Sequence, residues 1–267
     1  MLDLKQLTTD VCQIATEVGH FLKEERKNFR RERVEEKHAH DYVSYVDKES
    51  EVRVVKALAA LLPEAGFITE EGSATYQDEP YCWVIDPLDG TTNYIHDEAP
   101  YCVCIALRNR TELLLGVVYE VCRDECFYAW KGGKAFMNGE EIHVSSVEDI
   151  QDAFVITELP YNHLQYKQTA LHLIDQLYGV VGGIRMNGSA AAAICYVAIG
   201  RFDAWMEAFL GKWDYSAAAL IVQQAGGKVT NFYGEDNFIE GHHILATNGN
   251  LHPFFQKLLA EVPPLNM

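Results

Sequence analysis

The chain has 267 residues, 48% of them hydrophobic and 23% charged, with a formal net charge of -17. That is the composition of a globular protein with core enough for one domain or two fused lobes, and it disfavours binding to the DNA or RNA backbone. So acidic a surface sits awkwardly with an anionic substrate unless bound divalent cations reverse the local sign.

Leu4, Leu7, Val11, Ile14, Val18 and Phe21 recur at helical spacing, so an amphipathic helix is expected at the start. The run Lys23 to Lys37 mixes both signs and reads as a solvated helix end and loop. Val52, Val55, Leu58, Ala59 and Leu62 mark a second helix, ended near Pro63 and Gly66. Gly66 to Thr69 and Tyr81 to Ile85 read as buried strands. From Tyr101 to Val144 turns at Arg108-Asn109, Arg123-Asp124, Gly132-Gly133 and Asn138-Gly139 punctuate an antiparallel meander. Beyond about residue 150 strands and helices alternate: Ala153 to Thr157, 163–177, Gly183 to Arg185, 189–199, Phe202 to Met206 and 214–225. This change of texture predicts a single domain over 1–267 built of two lobes, about 1–150 and 151–267.

The seven cysteines read as buried free thiols of a reducing cytoplasm, and Cys122 and Cys126 lack the second Cys/His pair a zinc site needs. His38, His40, His242 and His243 lie near turns and read as surface residues. No apolar run approaches the roughly 20 residues of a membrane span, and the first five residues do not read as a signal peptide.

Chemistry concentrates in Trp83-Val84-Ile85-Asp86-Pro87-Leu88-Asp89-Gly90-Thr91-Thr92-Asn93-Tyr94. Two carboxylates and a carbonyl stand at the tip of a buried strand, followed by N–H groups that can open a helix. Carboxylates collect hard cations and helix-start amides collect phosphate. Glu70 and Glu71 follow a strand, Asp47 precedes the second helix, Asp214 heads an apolar helix, and Glu207 follows the strand Phe202 to Met206. Singly, Asp47 and Asp214 make good N-caps, Asp86 and Asp89 turn formers, and Glu70, Glu71 and Glu207 surface acids. Together they stand at strand ends and helix starts, where α/β folds gather ligand sites.

These pieces, with Trp213-Asp214-Tyr215-Ser216 and the closing Ala225-Gly226-Gly227, resemble the inositol monophosphatase family of magnesium-dependent, lithium-sensitive phosphatases over nearly the whole chain. The resemblance implies a layered αβαβα sandwich whose two lobes meet at a metal site holding two to three Mg2+ ions. Glu70, Asp86 and the Leu88 carbonyl would hold the first ion; Asp86, Asp89 and Asp214 the second; a third, weaker ion would sit near Glu70. Thr91 would touch the nucleophilic water with Asp47 behind it, and the N–H groups of Gly90 and Thr91 would hold phosphate. Asn187, Gly188, Ser189, Ala190, Ala191 and Glu207 would line the alcohol side with Asp89 and Asp214. Arg185 would support that loop or a subunit contact. Many relatives carry a lysine shortly before the Asp41-to-Asp47 segment, and here Glu36 and Lys37 occupy that neighbourhood.

The expected reaction is hydrolysis of a small phosphate monoester, most readily myo-inositol 1-phosphate. Fructose 1,6-bisphosphate, 3′-phosphoadenosine 5′-phosphate and histidinol phosphate are the alternatives. An adenosine substrate would want a stacking aromatic or an extra base, and the sequence shows neither clearly. A homodimer is implied. Some bacterial relatives act as antitermination partners of the transcription machinery, and Lys23 to Arg33 is the candidate run for that role.

Overall fold

The computed structural model describes residues 2–38, 41–160 and 163–262. In chain order the elements are α1 (Leu4–Lys27), β1 (Val34–His38), β2 (Asp41–Ser44), α2 (Tyr45–Leu61), β3 (Ala65–Thr69), β4 (Tyr81–Asp89), α3 (Thr91–His96), β5 (Cys102–Arg108), β6 (Leu113–Glu120), β7 (Glu125–Trp130), β8 (Ala135–Met137), β9 (Glu140–Glu141) and β10 (Phe154–Thr157). There follow α4 (Lys167–Leu177), β11 (Gly183–Arg185), α5 (Ala190–Ala198), β12 (Ala204–Ala208), α6 (Lys212–Gln224), β13 (Lys228–Thr230), β14 (His243–Thr247) and α7 (His252–Ala260).

Strands β3 to β9 form a seven-stranded sheet in sequence order, parallel only between β3 and β4. A second sheet has the order β11-β10-β12-β14-β13. Side chains alternate faces along a strand, and the cores follow that alternation. Trp83, Ile85, Val103 and Ile105 face α1 and α2, whereas Cys82, Val84, Cys104 and Ala106 face α5 and α6. In the second sheet Trp205 and Ala246 turn to α5 and α6, and Met206 and Leu245 to α4 and α7. The result is the expected αβαβα order of layers.

The middle layer fits between two sheets because its helices are built from small residues. Ala190 to Ala193 and Ala217 to Ala219 are all buried. Gly116 on β6 lets α6 lie almost on the strand backbone: a Cβ there would stand 2.3 Å from the Ala217 carbonyl oxygen.

Several expectations change. The charged run after α1 contains β1, which pairs antiparallel with β2. The second helix starts at Tyr45, ahead of its apolar stripe, because Ser44 caps it. Asp47 and Asp214 are therefore third-position residues of their helices, capped at Ser44 and Gly211. Glu207 lies inside β12, not after it. His243 is a buried residue of β14 whose Nδ1 accepts the Phe232 N–H at 3.0 Å. His40 and the side chain of His38 lie outside the described residues. All seven thiols are free, but Cys122 is exposed and Cys12 and Cys126 half-buried. Among the described residues no helix is long and apolar enough to cross a membrane.

The Gly116 contact is directly testable. Gly116→Ala should destabilise the protein by about 1–3 kcal/mol through overpacking, read as a lower Tm. An unchanged Tm would mean that α6 can lift off β6 at no cost.

Candidate active site

The site starts from a bulge. Asp86 pairs with Cys104 of β5 and Asp89 pairs with Cys102, so three steps on β4 match two on β5. Pro87 in between has no N–H to give the ladder. The extra residue restores parity. Both aspartates stand opposite cysteines that face the α5–α6 layer, so both carboxylates turn to the same interior side. Asp86 is 2% exposed and Asp89 7%.

Each carboxylate is then fixed. Asp86 Oδ1 accepts the Leu88 N–H at 2.9 Å. Asp89 spans the two halves of the chain: it accepts the Ser189 hydroxyl, the Ala191 N–H at 3.0 Å and the Ala190 N–H at 3.3 Å, all at the start of α5. Burial pushes the Asp89 carboxyl up to about 6, and these donors restrain the rise. Gly90, with φ +91°, ends the strand and opens α3. A Cβ there would crowd the Pro100 carbonyl at 3.0 Å as well as the backbone conformation.

Thr91 Oγ1 lies 2.9 Å from Asp47 Oδ1 and 3.1 Å from the Leu88 carbonyl, so its single proton serves those two acceptors. Asp47 is fully buried, and its Oδ2 accepts the Ser44 N–H at 2.8 Å and the Ser44 hydroxyl at 2.6 Å. Burial raises the Asp47 carboxyl against those hydrogen bonds. Asp214, at the head of α6, accepts the Gly211 N–H at 2.7 Å.

Four acids converge from three segments: Glu70 after β3, Asp86 and Asp89 on β4, and Asp214 on α6. Burial drives the Asp86 carboxyl well above the ordinary range, and the negative charges of Glu70, Asp89 and Asp214 drive it further. With the Leu88 carbonyl they make an all-oxygen donor set that suits a hard divalent cation. Among the described residues no three His, Cys, Asp or Glu side chains already close on one point.

Two acids that sequence reasoning missed hold the loops. Glu51 of α2 is fully buried and accepts the N–H groups of Glu71 at 2.7 Å and Ser73 at 2.8 Å, pinning the segment after Glu70. Glu158 accepts the N–H of Asn187 at 2.7 Å and of Gly188 at 3.2 Å, and burial pushes it up to about 7. Asn93 ties the same loop down by donating to the carbonyls of Asn187 and Pro100, each at 2.8 Å. In sequence, Glu51 looks like one more charge on a solvated helix face. The signal for Glu158 was its place directly after the apolar strand Phe154 to Thr157.

A cavity of about 1040 Å3 opens beside these groups, lined by Asp89, Gly188, Ser189, Ala190, Glu207 and Asp214 among others. Glu207 is raised well above the usual range by burial first, then by Glu158, Asp214 and Asp89. Phe209 lines the cavity too and has φ +66°, a left-handed backbone that costs a bulky residue about 1–2 kcal/mol. Arg185 stands apart. It is exposed, donates to the Ile184 carbonyl at 2.8 Å and lies 4.8 Å over the Phe154 ring; it does not line the cavity.

Comparison with known proteins agrees with this geometry. The profile of the inositol monophosphatase family matches residues 3–263. A protein of Pseudomonas aeruginosa called Nus factor SuhB is 39% identical over 86% of either chain. An inositol monophosphatase of Dictyostelium discoideum is 34% identical over 99% of either chain. The solved inositol monophosphatase of Anabaena superposes with a TM-score of 0.88, at 30% identity, over 99% of both chains.

The loop anchor predicts an outcome of its own. Glu51→Gln should weaken magnesium binding about tenfold, as loss of outer support does at metal sites, when measured by calorimetry. Unchanged affinity would show that the Glu70 segment is held without it.

Proposed function

Because the chain belongs to the inositol monophosphatase family, we propose that it is a magnesium-dependent phosphatase that hydrolyses a small phosphate monoester, with myo-inositol 1-phosphate the leading substrate. The observation that carries this reading is the buried Asp86 carboxylate, on which Glu70, Asp89 and Asp214 all press with charge of the same sign. A site of that kind has use for divalent cations and little for anything else.

Glu70, Asp86 and the Leu88 carbonyl would hold one ion, and Asp86, Asp89 and Asp214 a second, with a third, weaker position near Glu70. Held by these residues, such ions would supply an acidified water and stabilisation of the attacking and leaving oxygens of an in-line displacement. The chain's own groups do the positioning. Thr91 has given its proton to Asp47 or Leu88, so it meets a water only as acceptor. It thereby holds the water by a hydrogen and leaves an oxygen lone pair for phosphorus. Asp47, held by Ser44, fixes Thr91 and is the acceptor behind it. The N–H groups of Gly90 and Thr91 take the phosphate. Ser189, Ala190, Glu207 and Asp214 face the leaving alcohol, and Glu207 accepts hydrogen bonds from its hydroxyls. Burial raises the thiols of Cys102, Cys104 and Cys195 well above their usual range, so a cysteinyl-phosphate route gains no support.

We further propose that residues 1–267 work as one domain, with lobes of about 1–150 and 151–267 joined across the site by Asp89 and Ser189, and that the chain forms a homodimer. A second reading rests on the Nus-factor name of the Pseudomonas relative: docking on the transcription machinery through Lys23 to Arg33. In that run Arg26 pairs with Asp97 at 3.0 Å and Lys27 with Glu24 at 2.6 Å, which lessens its basic character. Co-purification with RNA polymerase that survives Asp86→Asn would favour this reading.

Two measurements test the phosphatase. Asp86→Asn should lower magnesium-dependent phosphate release from inositol 1-phosphate by about 100-fold or more while the circular dichroism stays native. Near-normal turnover would sink the site assignment. Magnesium at about 100 times its Kd should stabilise the wild type by about 2.7 kcal/mol, seen as a rise in Tm that Asp86→Asn loses. A wild-type Tm indifferent to magnesium would argue against any ion at this site.

A further inference from the structure

Phe209 occupies a backbone conformation that its side chain disfavours. Five described non-glycine residues have positive φ; four are the aspartates and asparagine Asp78, Asp97, Asp124 and Asn138, which tolerate it, and the fifth is Phe209. Such strain, where it persists, is held by its surroundings and gathers at ligand sites. Here the ring is held on two sides. It stacks on His163 with centroids 4.2 Å apart and planes 14° from parallel, and meets Tyr166 edge-on at 5.6 Å. It remains half-buried and lines the same cavity as Asp89, Asp214 and Glu207, the last only two residues before it.

The cavity's size and charge narrow what the ring is for. At about 1040 Å3 it lies at the upper end of small-molecule sites, roomier than one polyol ring needs. Leu159, Pro160 and Met186 add apolar surface near Phe209, and Glu98, Glu158 and Glu207 add carboxyl groups. Among the described lining residues there is no lysine or arginine. A second phosphate on the alcohol side would meet these acids with no described lysine or arginine to receive it, His96 being the basic side chain among the described lining residues.

We propose that Phe209 is a specificity-determining residue for the leaving alcohol, and that it selects phosphate monoesters whose alcohol part presents a ring face, of a cyclitol or of a base, and no second anionic group. The inference rests on the phosphatase reading above and adds the class of alcohol. It supplies the stacking aromatic that the sequence did not reveal, and the acid-lined cavity turns away the bisphosphates.

The test is steady-state phosphate release, with magnesium, by wild type and Phe209→Gly. Three esters serve: glycerol 2-phosphate, adenosine 3′-phosphate and 3′-phosphoadenosine 5′-phosphate, the last two differing by one phosphate. Wild type should prefer adenosine 3′-phosphate to glycerol 2-phosphate, and should use the bisphosphate about tenfold less well than its monophosphate partner. In Phe209→Gly the preference for the ring over glycerol should fall about tenfold, as loss of one stacked face implies, through KM and not kcat. The Tm should fall only a little, since glycine accepts the left-handed backbone and so offsets part of the lost ring contacts. Preference unchanged in the variant, or both esters weakened equally with a much lower Tm, would overturn the proposal in favour of a packing role. Wild type that hydrolyses glycerol 2-phosphate without favouring the ring, or that favours the bisphosphate, sinks this inference alone. Wild type that hydrolyses none of the three but does hydrolyse inositol 1-phosphate sinks this inference alone; wild type that hydrolyses none of the four sinks the phosphatase reading as well.

Discussion

The bulge at Pro87 and Leu88 is the constraint on which the site depends. A regular strand would send Asp86 and Asp89 to opposite faces of the sheet, one into the α1–α2 core and one toward α5 and α6. One extra residue on β4 puts both on the inner face, at the level where two helices of the middle layer begin. Burying two carboxylates is expensive unless each finds donors or a counter-charge. Asp89 finds donors at the start of α5. Asp86 has the Leu88 N–H, together with three acids around it, and a bound cation would offset that imbalance.

The surrounding layers can be understood as what brings those helix heads close. Alanine-rich α5 and α6 pass between two sheets with little side-chain bulk, and Gly116 removes the last obstacle under α6. A repeated device then turns helix starts into chemistry. An acid at the third helical position accepts the N–H of the capping residue, as Asp47 does from Ser44 and Asp214 from Gly211. Asp47 shows the division of labour: one oxygen serves the helix and the other takes the Thr91 hydroxyl.

Beside these acids stands a pair whose oxygens meet backbone, Glu158 from the cavity wall and Glu51 from α2. Glu51 and Glu158 spend their oxygens on loop N–H groups, and each holds a segment carrying residues of the site. Charge-assisted bonds of this kind are short and directional, which suits loops whose side chains must meet within a fraction of an ångström. Phe209 is held differently, by ring contacts against an unfavourable backbone, and it shapes the cavity wall instead of the charge.

Much of this was legible in the chain. Period-3.6 and period-2 patterns depend on local burial and gave most elements their place and type. The Asp86-to-Tyr94 segment announced itself because two acids, a proline and a glycine at a strand tip make poor sense in a core. Other features depend on residues distant in sequence, so local pattern could not give them. Asp89 meets Ser189 a hundred positions away, and Glu51 meets a loop twenty residues on. His243 looks like a turn histidine until β14 buries it, and Arg185 looks like a pocket residue until β11 turns it out to solvent. The sequence by itself determined most elements and the family it resembles, because those follow from side-chain type and spacing; the layers and the candidate oxygen ligands were what that resemblance implied. The tertiary structure alone decided which faces the carboxylates share, which acids serve backbone, and that Phe209 borders the cavity, because each of these is set by the packing of segments far apart in the chain.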